Sequence, residues 1–148
     1  MGVPDPETDG QFYKGVPMRR LVAFLIDFAI GCVIMVVTVF LGFLFSLMTA
    51  GAGAPLAMLL IISSSVIYRW VMLIQRSATL GMIMTGIEVR DKDGNRMDVG
   101  SAFLHTIAFH VTFFTPLLLI GWILMATSPY RRAMHDIVIG SVVINRPS

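Results

Sequence analysis

The sequence predicts an all-α integral membrane protein of two to three apolar helical segments, with a small cytoplasmic β-hairpin and a C-terminal strand. Three observations carry this. The chain is 56% hydrophobic and 14% charged, with a mean hydropathy of +0.81, whereas soluble domains carry about 25% charged residues. The apolar residues gather into three long runs, 21–49, 55–74 and 101–128, each near or beyond the ~20 residues a bilayer-crossing helix needs. Between the second and third runs the pattern switches to short alternation around a polar turn.

Residues 1–16, "MGVPDPETDGQFYKGV", read as a flexible polar arm, and 17–148 as one membrane domain. The arm is acidic and rich in Pro and Gly, unlike the basic start of a secretory signal, and the following run exceeds a signal's 7–15 apolar residues. "MRR" lacks the context of a twin-arginine signal because Asp27 interrupts the apolar run, and Pro6 occupies the Ser/Thr place of a myristoylation pattern. Leu21–Thr49 forms the first span, longer than the ~30 Å hydrocarbon layer at 1.5 Å per residue, so it must tilt or protrude. "AGAGAP" (50–55) is an uncharged tight turn, and Pro55–Ile74 returns as the second span, carrying Arg69.

"GIEVRDKDGNRMDVG" (86–100) alternates apolar and charged residues on either side of "DKDGN", which predicts a β-hairpin. Asp91, Asp93 and Asn95 do not make a calcium loop: Gly94 follows Asp93 directly and no Glu closes the segment. Turn chemistry accounts for them. Residues 101–128 are the third apolar run, with Ser101 as N-cap and Pro116 near the middle, and Ile137–Ile144 is a β-branched run with strand character.

Lys and Arg set the orientation. Lys14, Arg19 and Arg20 precede span one, Arg76, Arg90, Lys92 and Arg96 follow span two, and the 50–55 turn has none. The positive-inside rule puts the N-terminus and the 76–100 loop in the cytoplasm of a bacterial-type inner or plasma membrane. A third crossing would then carry Arg131, Arg132 and Arg146 outside and strand 137–144 away from any partner. A re-entrant helical pair bent at Thr115–Pro116 avoids both, and a cytoplasmic tail pairing with the hairpin is favoured over the three-span alternative.

The informative residues are the expensive ones. Asp27 lies about 9–10 Å into span one, at 1.5 Å per residue, and Arg69 a similar distance from the cytoplasmic end of span two. A charge at membrane depth costs roughly 2.5–3.5 kcal/mol on insertion scales, so the economical arrangement pairs Asp27 with Arg69 or with Arg20. Such a pair is either a structural ion pair or a proton or cation site. Asp136, after the basic turn, caps backbone amides or pairs with an arginine. His105 and His110 are five apart, off a common helix face, and a metal site would need His135 or Asp27 brought to them. No metal site, cofactor or catalytic constellation is expected: there is no phosphate loop, dinucleotide turn or Ser-His-Asp order. The lone Cys32 excludes an intrachain disulfide, and a net charge of +2 without a basic stripe points away from nucleic acid.

"RRLVAFLID", with Arg20 and Asp27, resembles the opening motif of the RDD family of small membrane proteins. "TLGMIMTGIEVRDKDGNRMDVGSAF" looks like that family's Thr-x-Gly segment, and "RRAMHDIVIGSVVI" resembles its His-Asp element, making Asp136 the second aspartate. The likeness covers about 19–144, with Met82 where members commonly carry Lys and His105 where many carry Arg. It implies Arg20, Asp27 and Asp136 as the shared positions. It also implies a family mostly uncharacterised and suspected of transport, in which some members resemble sodium/proton antiporters and others act as accessory domains. The expectation is a non-enzymatic protein that moves a small solute or ion, with cation/proton exchange as one form. Two or three spans are few for a pathway, so a homo-oligomer is implied. The alternative is an accessory or assembly subunit packed on a larger membrane complex. Arg20, Asp27, Arg69 and Asp136 form the predicted ion-binding or structural charge network.

Overall fold

A computed structural model describes residues 2–113, 115 and 117–147. It is mostly helical, with two long apolar helices and a small two-stranded sheet. Helix α1 (Val16–Met48) and helix α2 (Ala54–Arg76) form an antiparallel hairpin. Pro17 and Pro55 stand in the first turns of the two helices, where a missing N–H costs nothing. The connection is the expected tight turn: Thr49 Oγ1 accepts from Gly53 N at 2.8 Å, and Gly51 takes a φ of 90°. Near this end the helices approach closely, because a Cβ on Gly42 would stand 3.2 Å from Ala57 Cβ.

The far part of α1 is uncovered. Its buried residues are Val16, Arg20 and Ala23, all in the first third, whereas Val36, Phe40, Phe43 and Leu47 are exposed. A soluble protein buries its most apolar helix; here the apolar faces have only lipid-like surroundings to favour them. Both helices are long and apolar enough to cross a bilayer.

Everything else gathers at the Val16/Arg76 end of the hairpin. Helix α3 (Leu80–Thr85) packs on α1 and leads through Gly86 into strand β1 (Ile87–Arg90). Helices α4 (Val99–Phe113) and α5 (Leu117–Thr127) follow, then helix α6 (Met134–Ile139) and strand β2 (Val142–Asn145). Strands β1 and β2 pair antiparallel, Ile87 opposite Asn145 and Arg90 opposite Val142. This ladder returns the tail to the end where α1 starts and α2 stops. The 15 residues of α4 and 11 of α5 are each too short to span about 30 Å at 1.5 Å per residue. A pair of short helices with a returning tail is the arrangement observed; the bend expected at Pro116 lies outside the described residues.

A compact core sits at this end: Val16, Ala23, Leu73, Met82, Ile87, Val89, Ala102 and Val143 pack together. Trp70 ties α4 to α2 by donating Nε1–H to Val99 O at 3.1 Å and meeting Phe103 edge-on.

Three sequence expectations are corrected. The 86–100 segment is not a two-armed hairpin: beyond β1 it makes a single bridge, Arg90 to Arg96. Met97 N is taken by Ser77 Oγ at 2.9 Å, and the β1 edge is filled by β2 instead. Next, Ile137–Ile139 is helix and only 142–145 is strand. Asp136 Oδ2 accepts from Ala133 N at 3.1 Å, which starts α6, and Gly140 at φ 79° ends it. A β-branched run on its own cannot reveal such local capping. Last, the arm, between residues 3 and 14, is tied to the sheet rather than loose. Tyr13 is buried on Val142 and Ile144 and donates to Pro4 O at 2.6 Å, while Asn145 Nδ2 donates to Gln11 O and Lys14 O. The polar turn itself is as expected, with Asp91 Oδ1 accepting from Asp93 N and Asn95 N.

Candidate functional site: two carboxylates and an unpaired arginine

The four predicted residues lie close together, but not as the predicted pair. Asp136 is the most tightly held. Its carboxylate, fully buried, receives Arg20 Nη2 at 2.5 Å, His105 Nε2 at 3.0 Å, Ala133 N at 3.1 Å and Ser141 Oγ at 3.3 Å. Arg20 also donates through Nη1 to Arg131 O at 3.2 Å. One ion pair thus joins the first helix to α6 across most of the chain. Burial alone would push the Asp136 carboxyl up; Arg20, His135 and His105 overcome this and hold it well below the usual carboxylate range.

His105, His135 and Asp136 offer metal-type ligand atoms within 4.8 Å of one another. The carboxylate is already engaged by four donors, one of them a guanidinium, which leaves it little to give a cation. The cluster is a hydrogen-bonded latch.

His135 supplies a pH test. It stands against Asp136, His105, Arg20 and Arg69, and burial pushes its imidazole down to about 3. A folded pKa below the unfolded ~6.5 means that unfolding takes up a proton, so stability is full above about pH 6.5 and falls as pH drops toward 3. The slope expected from this residue is about 1.4 kcal/mol per pH unit. Denaturation of detergent-solubilised protein at pH 7 and pH 5 should show it, and His135→Gln should flatten the profile by roughly that slope.

Asp27 pairs with neither arginine. Its Oδ2 accepts from Thr79 Oγ1 at 2.5 Å, and its Oδ1 accepts from Tyr68 OH at 3.1 Å and Gly81 N at 2.9 Å. The expected ion pair is corrected: three uncharged donors satisfy this carboxylate. Thr79 is the N-cap of α3 and Gly81 lies in its first turn, so the helix start presents its free N–H to Asp27. Gly81 is required by contact: a Cβ there would lie 2.2 Å from Ala23 O and 2.9 Å from Asp27 Cγ. The Thr-x-Gly segment is therefore the receptor for the α1 aspartate.

Arg69 is the anomaly. It is 5% exposed, and its guanidinium lies 3.7 Å over the centre of the Phe109 ring. Its Nε has no hydrogen-bond partner, and among the described residues Arg69 makes no ion pair. It faces a cavity of about 70 Å³ bordered by α1 to α6, shared with Arg20, Asp27, His135, Thr112 and Met125.

The Thr79–Gly81 segment holds Asp27 of α1, and Arg20 of α1 holds Asp136 of α6, so three segments far apart in the chain meet at one place. The sequence model of the RDD family matches residues 14–140. The chain belongs to the RDD family. With its two uncovered apolar helices, this RDD protein is a small membrane protein. No curated protein and no solved structure matches it.

Reading residues singly missed Tyr68, Thr79, Gly81, His105 and His135 as partners of the aspartates. Thr79 and Gly81 carried a usable signal, since a Thr at a helix start followed by a Gly offers free amides. His105 had none, because its partner lies 31 positions away.

Proposed function

We propose that this RDD protein carries a small solute or ion across the cell membrane, acting as an oligomer and without enzymatic chemistry. The supporting observation is the cavity of about 70 Å³, where Arg20, Asp27, Arg69 and His135 meet inside otherwise apolar helices. Ionisable side chains held at membrane depth are costly, and they characteristically mark solute or ion pathways. Oligomerisation follows from size: two spanning helices cannot enclose a path, and the apolar surface of α1 from Val33 to Leu47 is free for neighbouring copies. The orientation is N-terminus and 76–100 loop in the cytoplasm, because Arg19, Arg90, Lys92, Arg131 and Arg146 all belong to the end of the hairpin that carries the sheet.

Proteoliposomes carrying a pH-sensitive dye test this. Pulses of sodium, potassium, nitrate or formate salts should produce a protein-dependent flux with at least one of them, reduced at least tenfold in Asp27→Asn that remains folded. Absence of flux with every pulse, together with co-purification of a larger complex, would replace transport by the accessory-subunit role.

A further inference from the structure

We propose that Arg69 is the anchor of an oxyanion-binding site, taking a planar group the size of a carboxylate or nitrate in the cavity beside Phe109. Its role as cargo rests on the transport proposal, but binding is measurable without transport. Four observations converge. Arg69 is a guanidinium more than nine-tenths buried, with no ion pair among the described residues and an Nε that has no partner. A buried cation in that state needs an acceptor, since leaving it bare costs far more than pairing it. Stacking on Phe109 at 3.7 Å occupies one face of the guanidinium and leaves its edge, where the N–H groups lie in the plane. A planar oxyanion matches that edge with two parallel hydrogen bonds, a fit that a cation or a neutral apolar solute does not share.

Neither carboxylate nearby supplies the acceptor. Asp27 is held by Tyr68, Thr79 and Gly81, and Asp136 by Arg20, His105, Ala133 and Ser141. The cavity of about 70 Å³ is several times the ~10–15 Å³ required by one water, so there is room for a small anion. Arg20 borders the same space but is already paired with Asp136, and Asp27 borders it with its own three donors, so Arg69 is the group left to receive an anion. Met82, Met125 and Phe24 make the rest of the lining apolar and of low dielectric. An oxyanion of this kind comes either from a free solute or from a lipid headgroup, whose phosphate presents the same edge.

The experiment uses the full chain in mild detergent. Nitrate, formate and phosphate are titrated at constant ionic strength against gluconate, which is too bulky for the cavity, with binding read by calorimetry and by shift in Tm. In parallel, protein from phosphatidylglycerol-containing vesicles and from phosphatidylcholine vesicles is weighed by native mass spectrometry. Saturable binding of a small anion, or selective retention of the anionic lipid, is expected in the wild type and identifies the source. Arg69→Gln should weaken that binding roughly tenfold or more, as loss of a charge-assisted bond does. If Arg69→Gln does not fold, Thr112→Leu, which fills the cavity without changing a charge, must give the same loss. No saturable binding in either arm, or unchanged affinity in the folded variant, overturns the site. Flux of a cation without oxyanion binding would sink this inference and leave the transport proposal standing; binding without any flux would do the reverse.

Discussion

Asp136→Asn is expected to lose about 3–5 kcal/mol of stability, the cost of leaving a buried charge without its partner, and to lower Tm by roughly 10 °C for a chain of this size. Arg20 is 8% exposed and cannot reach bulk water to compensate, so its guanidinium would keep only neutral acceptors, Arg131 O and the amide oxygen of the new Asn, and no counter-charge. The damage should centre on the tail, because the Asp136 carboxylate also receives Ala133 N and Ser141 Oγ around α6. Hydrogen exchange should show α6 and β2 opening first. The double change Arg20→Gln with Asp136→Asn removes both charges and should recover much of the loss. Thermal unfolding of the four proteins in one detergent closes the cycle, and a double variant no better than Asp136→Asn would mean that the ion pair is not what fastens the tail.

The second large effect is at Asp27. Asp27→Ala would leave Tyr68 OH, Thr79 Oγ1 and Gly81 N without their acceptor. Hydrogen bonds to a charged group contribute about 1.5–3 kcal/mol each; because Asp27 is half-buried and water can replace part of this, a total of about 3–5 kcal/mol is expected. Asp27→Asn keeps one acceptor oxygen and should lose about half as much. The decisive comparison is with Arg69→Gln added. An Asp27–Arg69 ion pair would make the second change restore stability, whereas three neutral donors make it indifferent or worse. No recovery is expected on thermal unfolding, and recovery of more than half the loss would reinstate the ion pair. Thr79→Val, which removes one donor, should cost about 1.5–3 kcal/mol.

The sequence alone determined the class and the cast of this protein. Long runs of apolar residues cannot be made soluble by any arrangement of so short a chain, so α1 and α2 and the turn between them were legible from composition and length. Charged residues inside such runs are costly wherever they end up, so Asp27 and Arg69 stood out individually, whereas Arg20 and Asp136, outside the runs, stood out as pairing or capping candidates and through the family resemblance. Partner choice was not legible, and only the tertiary structure decided it. Depth along two antiparallel helices placed Asp27 and Arg69 level with each other, and both do border one cavity. Depth says nothing about α3, whose N-terminal amide and Thr79 reach Asp27 first, nor about α6, which brings Asp136 to Arg20 from the other end of the chain. The same holds for the strands. Alternation revealed β1, but Ser77 diverts Met97 and the ladder forms with Val142–Asn145 instead. Hydropathy and local pattern are properties of one segment at a time. Hydrogen-bond satisfaction in a buried site is settled by whichever donors several segments deliver together, and with Asp27 and Asp136 both satisfied in this way, Arg69 is left unpaired beside the cavity.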